Sequence, residues 1–212
     1  MAVSPTICIE SESVINPALI MIPDISGFTE YMNDADLSHS QVRIASLLEA
    51  ILENNVLELN VSEIEGDAIL FFSFNNTSTA EEILGQCQLM FNKFHEKLKE
   101  FETLECQCGS CQRLLNLSLK FVLHYGQLGS VMVKDYCKLY GRELIVAHRL
   151  LKNNITAREY IVLTRDFVMH YNLKDNLDPI GLSEWVDEQQ YIPNIGNVEF
   201  NYVQLNKNAA IR

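Results

Sequence analysis

Two aspartates occupy positions from which a chain can hold a hard cation. Asp24 ends the apolar run Ala18-Leu-Ile-Met-Ile-Pro-Asp24, just before Ser26-Gly27. Asp67 follows Gly66, between Val56–Glu65 and Ala68–Phe74, two segments rich in β-forming residues. A buried strand feeding a turn and a tight hairpin tip aim both carboxylates at one spot, provided the strands are neighbours. Two carboxylate oxygens suit Mg²⁺ or Mn²⁺, with water and phosphate filling the other positions. Ile25-Ser26-Gly27-Phe28 then leads into a helix, whose first N–H groups and glycine allow a triphosphate close to the backbone. The alternative is local: Asp before a turn is a common cap, and Gly-Asp is a common hairpin tip.

Cys106-x-Cys108-x-x-Cys111 places three thiols in one short loop. Tetrahedral Zn²⁺ takes four such ligands. Cys87, Cys137, His95 or a second subunit is available for the fourth, and a set of free thiols is the other reading. His124 and His148 read as structural histidines, and Phe71-Phe72 as core.

The elements that must position these groups follow from periodicity. Leu37–Leu57 is a helix with Val42, Ala45, Leu48, Ile51, Leu52 and Val56 at helical spacing. Thr79–Phe101 is a second, with Ile83, Leu84, Cys87, Met90, Phe91, Phe94 and Leu98 as its stripe and Ser78 or Thr79 as its cap. Leu115–Tyr125 and Gly129–Tyr136 read as a hairpin turning at Gly126–Gly129. Tyr140–Asn153 is a third helix, and Tyr160–Thr164 and Asn197–Leu205 are strands. The acidic stretches Asp175–Asp178 and Glu184–Glu188 read as solvated surface. Strands and helices in this order give an α+β fold, with helices packed on one face of a mainly antiparallel sheet.

The chain has 212 residues, 48% hydrophobic and 21% charged, which suits a single domain over 18–212 after a lead-in at 1–17. A net charge of −12 opposes binding to a nucleic acid polymer, whose affinity comes from basic residues. No basic start with an apolar run opens the chain, and its apolar stretches are too short to span a bilayer. Six cysteines in that context suggest reduced thiols or a metal site, a cytoplasmic address and no membrane partner.

Three blocks in order resemble the class III nucleotidyl cyclases, the adenylyl and guanylyl cyclase family. They are Ile22-Pro-Asp-Ile-Ser-Gly-Phe-Thr29, Glu63-Ile-Glu-Gly-Asp67, and Lys120–Gly126 followed by Leu139-Tyr-Gly-Arg-Glu-Leu-Ile-Val-Ala-His-Arg149. The resemblance spans about residues 18–165. The cysteine loop and Ala147–Asn153 are also similar to a narrower bacterial group of uncharacterised cyclase-like proteins. The resemblance implies a ferredoxin-like cyclase core and a head-to-tail homodimer with a nucleoside triphosphate at its interface. It implies metal ions on Asp24 and Asp67, and Arg149 of the partner subunit stabilising charge on the transferred phosphoryl group.

The pattern departs from the family at several points. An asparagine belongs one turn before the arginine, and Ile145 stands there. The base-reading positions hold Glu63 and Lys138, which either read a base or pair with each other. The triphosphate lysine has no counterpart in Tyr191–Gly196, and Lys152 is the nearest by type. The resemblance thus implies either a slow cyclase or a domain that binds nucleotide or a protein partner without turnover.

Overall fold

A computed structural model of the chain describes residues 15–34, 37–102, 113–134, 136–173 and 185–206. The strands are β1 (Ile15–Ser26), β2 (Asn60–Glu65), β3 (Ala68–Phe74), β4 (Ser118–Val133), β5 (Tyr136–Tyr140), β6 (Tyr160–Thr164), β7 (Val186–Ile192) and β8 (Gly196–Gln204). The helices are α1 (Phe28–Asp34), α2 (Leu37–Leu52), α3 (Ala80–Glu102), α4 (Arg142–Leu150) and α5 (Arg165–His170). All eight strands form one sheet in the order β2-β3-β1-β4-β6-β8-β7, with β5 paired to the far end of β4. Among the described residues only β4 and β6 pair in parallel, and the other ladders are antiparallel. This is the expected α+β fold.

Strand β1 lies at the centre, flanked by β3 and β4. Leu19, Met21 and Ile25 face one buried cluster, and Ala18, Ile20 and Ile22 face the other. Burial on both faces explains why the run is continuously apolar and does not alternate. Pro23 has no N–H to donate, and the β1–β3 ladder skips from Met21 to Asp24 across it. Helices α2, α3 and α5 pack on the first cluster, whereas α4 packs on the second. The sheet is therefore covered on both faces, not on one.

Helix α3 follows its expected stripe, and all seven predicted core residues are buried. Thr79 and Glu82 form a reciprocal capping box: the Glu82 N–H donates to Thr79 Oγ1 at 3.2 Å, and the Thr79 N–H to Glu82 Oε2 at 2.7 Å. Helix α2 has the right period, and Leu48, Ile51 and Leu52 of its expected stripe pack on the core, but the stripe is rotated at its start. Ile44, Leu47 and Ile51 enter the core, while Val42 is 68% exposed, and the helix ends at Leu52.

A further expectation is corrected. The chain does not turn at Gly126–Gly129, because β4 runs straight through to Val133. Both glycines serve close packing. A Cβ on Gly126 would lie 2.6 Å from Glu143 Cγ, and one on Gly129 would lie 2.7 Å from the Tyr140 ring. The acidic stretch at 184–188 contributes its last three residues to β7, an edge strand whose charges face water. Among the described residues no helix is long and apolar enough to cross a membrane.

Candidate metal and nucleotide site

The hairpin tip and the end of β1 meet. Glu65 pairs with Ala68 around a two-residue loop, in which Gly66 takes a φ of +61° and Asp67 follows. Only the first central residue needs a positive φ, the II′ pattern that matches strand twist. Asp24 stands opposite Ala68 across the β1–β3 ladder, and the Ile25 N–H donates to the Asp67 carbonyl at 3.0 Å. Both aspartates line one open cavity of about 630 Å³.

The Asp67 carboxyl is pushed up to about 6, first by burial and then by the charge of Asp24. A hydrogen bond from its own backbone and the ammonium of Lys120 oppose the shift. A divalent cation would favour the ionised form of the Asp67 carboxyl, and with Asp24 on the same cavity the two offer hard oxygen donors. The residues therefore fit Mg²⁺ or Mn²⁺.

Lys120 escaped the sequence reading. It stands on β4 directly across from Asp24, with Nζ 3.1 Å from Asp24 Oδ2. The same ammonium donates to the Leu151 carbonyl at 2.8 Å. A lysine directly before the apolar run Phe121–Leu123 was the available signal, but only the β1–β4 register shows which carboxylate it meets. Lys152 and His148 also line the cavity, so Lys152, proposed by type alone, stands on its wall.

Ile25, Ser26, Gly27 and Phe28 form one side of the cavity. Gly27 has a φ of +89°, which starts the turn into α1, and its carbonyl accepts the Tyr31 N–H at 3.0 Å. A side chain at Gly27 would be strained by that conformation.

The remaining predicted residues lie elsewhere. Glu63 and Lys138 pair with each other at 2.9 Å, tying β2 to β5, and Glu63 raises the Lys138 pKa by this hydrogen bond. Arg149 is exposed and opens on a second cavity of about 470 Å³, whose walls include Ile145 and Tyr191. His148 and Lys152 belong to both cavities, so the two are adjacent on either side of α4. Cys106, Cys108 and Cys111 lie outside the described residues. Of the two described cysteines, Cys87 is free and buried, its thiol pushed up by burial, and Cys137 is disulfide-bonded, not reduced as expected. A disulfide-bonded Cys137 cannot serve as a thiolate ligand. His95, another candidate ligand, is 2.7 Å from Glu159.

A further polar cluster went unassigned in the sequence. Ligand atoms of His124, Glu143 and Asp166 lie within 4.8 Å of one another. His124 is fully buried, with Nε2 2.9 Å from Glu143 and Nδ1 2.8 Å from the Thr164 hydroxyl. A carboxylate only accepts, so Nε2 carries a proton, and Nδ1 shares a hydrogen bond with the Thr164 hydroxyl. Thr164 Oγ1 also accepts from the Phe167 N–H, capping α5. The hydrogen bond from His124 holds the Glu143 carboxyl below its ordinary pKa. With each ring nitrogen satisfied, the cluster ties α4 and α5 to the sheet.

Known proteins share this architecture. The adenylyl cyclase CyaB from P. aeruginosa superposes with a TM-score of 0.65 at 14% identity, covering 93% of this chain and 98% of that one. The guanylate cyclase domain of RhGC from Catenaria anguillulae, solved in complex with GTP, gives 0.60 at 14% identity, covering 92% of this chain and 100% of that one. A rhodopsin-guanylyl cyclase core with converted specificity, solved with ATPalphaS, gives 0.60 at 14% identity over 92% and 99%. At such identities the likeness is one of fold. In sequence, the chain is 33% identical over 123 residues to "Uncharacterized protein Rv2561/Rv2562" of Mycobacterium tuberculosis, a match spanning 57% of each protein. Residues 44–160, over half of the chain, match one family, and so a protein with the fold of adenylyl and guanylyl cyclase domains belongs to the family described as "Protein of unknown function (DUF2652)".

Proposed function

We propose that this chain binds a nucleoside triphosphate with Mg²⁺ or Mn²⁺ held by Asp24 and Asp67, and slowly converts it to a cyclic nucleotide and diphosphate. The observation that carries the reading is the meeting of these two carboxylates on one cavity, where the Asp67 carboxyl is pushed up to about 6. GTP and ATPalphaS are bound in structures with the same fold. The backbone of Ile25–Phe28 lines the phosphate side, and Lys120 and Lys152 face it with positive charge. A bound divalent cation would draw charge from the phosphates and acidify the ribose 3′-hydroxyl. The 3′ oxygen then forms a bond to the α-phosphorus, the bond to the β-phosphate oxygen breaks, and the hydroxyl proton passes to solvent.

Arg149 opens on the neighbouring cavity, which supports a role toward the phosphoryl group of a second copy, with a homodimer as the working unit in this reading. In this reading residues 18–212 act as one domain of a cytoplasmic protein. The cysteine loop binds Zn²⁺ only if its fourth ligand comes from outside Cys137.

The slow rate follows from Ile145, which is 53% exposed and offers no hydrogen bond to a ribose. Losing one oriented donor costs about 3 kcal/mol of barrier. One observation favours a second reading, nucleotide binding without turnover: Glu63 and Lys138 satisfy each other and leave the base-reading position closed. Purified protein with Mn²⁺ and each of the four triphosphates separates them. Cyclic product that disappears in Asp24→Ala supports turnover. Thermal stabilisation without product supports binding alone. Neither response in wild type would end both readings.

A further inference from the structure

The carboxylate pair has its own counter-ion. Lys120 and Asp24 face each other from adjacent central strands, with side chains only 15% and 14% exposed. The ammonium lies 3.1 Å from Asp24 Oδ2 and donates to the Leu151 carbonyl at 2.8 Å. Leu151 caps the C-terminal end of α4. One cation thus holds both the carboxylate that would bind metal and the end of the helix that carries Arg149.

Charge decides what can join it there. Glu30, Glu65 and Lys152 also line the cavity, so the obstacle to a divalent cation is not the total charge but the ammonium that already sits on Asp24. A metal at Asp24 must displace the ammonium or remain beside it, and like charges held close together away from bulk water repel each other. A triphosphate changes the balance, because its oxygens bring further negative charge and offer the ammonium new acceptors.

We infer that Lys120 is a built-in occupant of the cation position, which keeps bare Mg²⁺ or Mn²⁺ out and admits the metal only together with a polyphosphate. The inference rests on Asp24 and Asp67 being metal ligands. It deepens that reading by naming the ligand as a metal–polyphosphate complex and by giving its order of binding. Transfer of the ammonium from Leu151 to phosphate also frees the end of α4, so occupancy of the metal site is felt by the helix bearing Arg149.

The test is a Mn²⁺ titration of the full chain, read from the loss of the free-ion electron paramagnetic resonance signal. Wild type, Lys120→Met, Lys120→Arg and the double variant Lys120→Met/Asp24→Asn are compared, alone and with a non-hydrolysable triphosphate. Wild type is expected to bind bare Mn²⁺ weakly and to gain with the triphosphate. Lys120→Met is expected to bind bare Mn²⁺ about tenfold tighter, and Lys120→Arg to stay like wild type. The gain should vanish in the double variant. Should Lys120→Met misfold by circular dichroism, Lys120→Gln takes its place. Equal bare-ion affinity in wild type and the neutral variant, or a gain in Lys120→Arg as large as in Lys120→Met, overturns the inference and leaves the metal site standing. Absence of Mn²⁺ binding in every variant, with and without triphosphate, overturns the site itself.

Discussion

At the scale of single residues, the site is built at the expense of stability. Asp67 is half-buried beside Asp24, and its carboxyl is pushed up to about 6 from an ordinary 3.8. The folded chain therefore binds this proton more tightly than the unfolded chain does. The sign follows: stability falls as pH rises from 3.8 towards 6, and the full cost persists above that window. Asp67→Asn removes the penalty. Discounted for partial exposure, it should stabilise the metal-free protein by about 1 kcal/mol near neutral pH, with the gain fading towards about pH 4. The same variant should lose stabilisation by Mn²⁺ with triphosphate. Thermal melts across pH, with and without that pair, check both halves. A metal-free Asp67→Asn less stable than wild type near neutral pH would contradict the electrostatic account.

At the scale of elements, the N-terminal end of α4 is tied to the sheet by a polar contact. Glu143 in its first turn reaches His124 on β4, and the space for that side chain exists because position 126 is glycine. Gly126→Ala places a Cβ 2.6 Å from Glu143 Cγ, so Glu143 must leave His124. We expect a loss of about 1–3 kcal/mol by urea melts, with much of it recovered when Glu143→Ala opens the space. This position also shows how far the sequence could be read. The glycines of Gly126–Gly129 look like a turn, since turns and close packing both demand glycine. Which demand applies depends on whether a helix side chain approaches from 17 residues away, and no local pattern records that.

At the scale of the whole molecule, the parts of the proposed reaction are split between two cavities. Asp24 and Asp67 line one; Arg149 lines the other; His148 and Lys152 form the shared wall. The proposed reaction therefore calls on a second copy to bring Arg149 to the carboxylates. Asp24→Ala and Arg149→Ala should each abolish product formation. Mixed in equal amounts and allowed to exchange subunits, the two should recover about a quarter of wild-type activity, because half the dimers then hold one intact site of two. Recovery no greater than the sum of the separate variants would place Arg149 outside the reaction or show that no dimer forms.

The sequence by itself determined the features with local causes. The apolar run of β1, the Gly66-Asp67 hairpin, the stripe and cap of α3, and the strand near Tyr160 all follow from residue period, turn chemistry and capping. The tertiary structure decided which side chains meet. It put Lys120 opposite Asp24, joined Glu63 to Lys138 across 75 positions, placed Arg149 on a separate cavity, and made an acidic stretch into an edge strand. The physical reason is register. A strand's residues declare that it pairs, but the burial of both sheet faces decides with which neighbour and at which step, and a shift of one residue would turn Lys120 from the carboxylates to the opposite face.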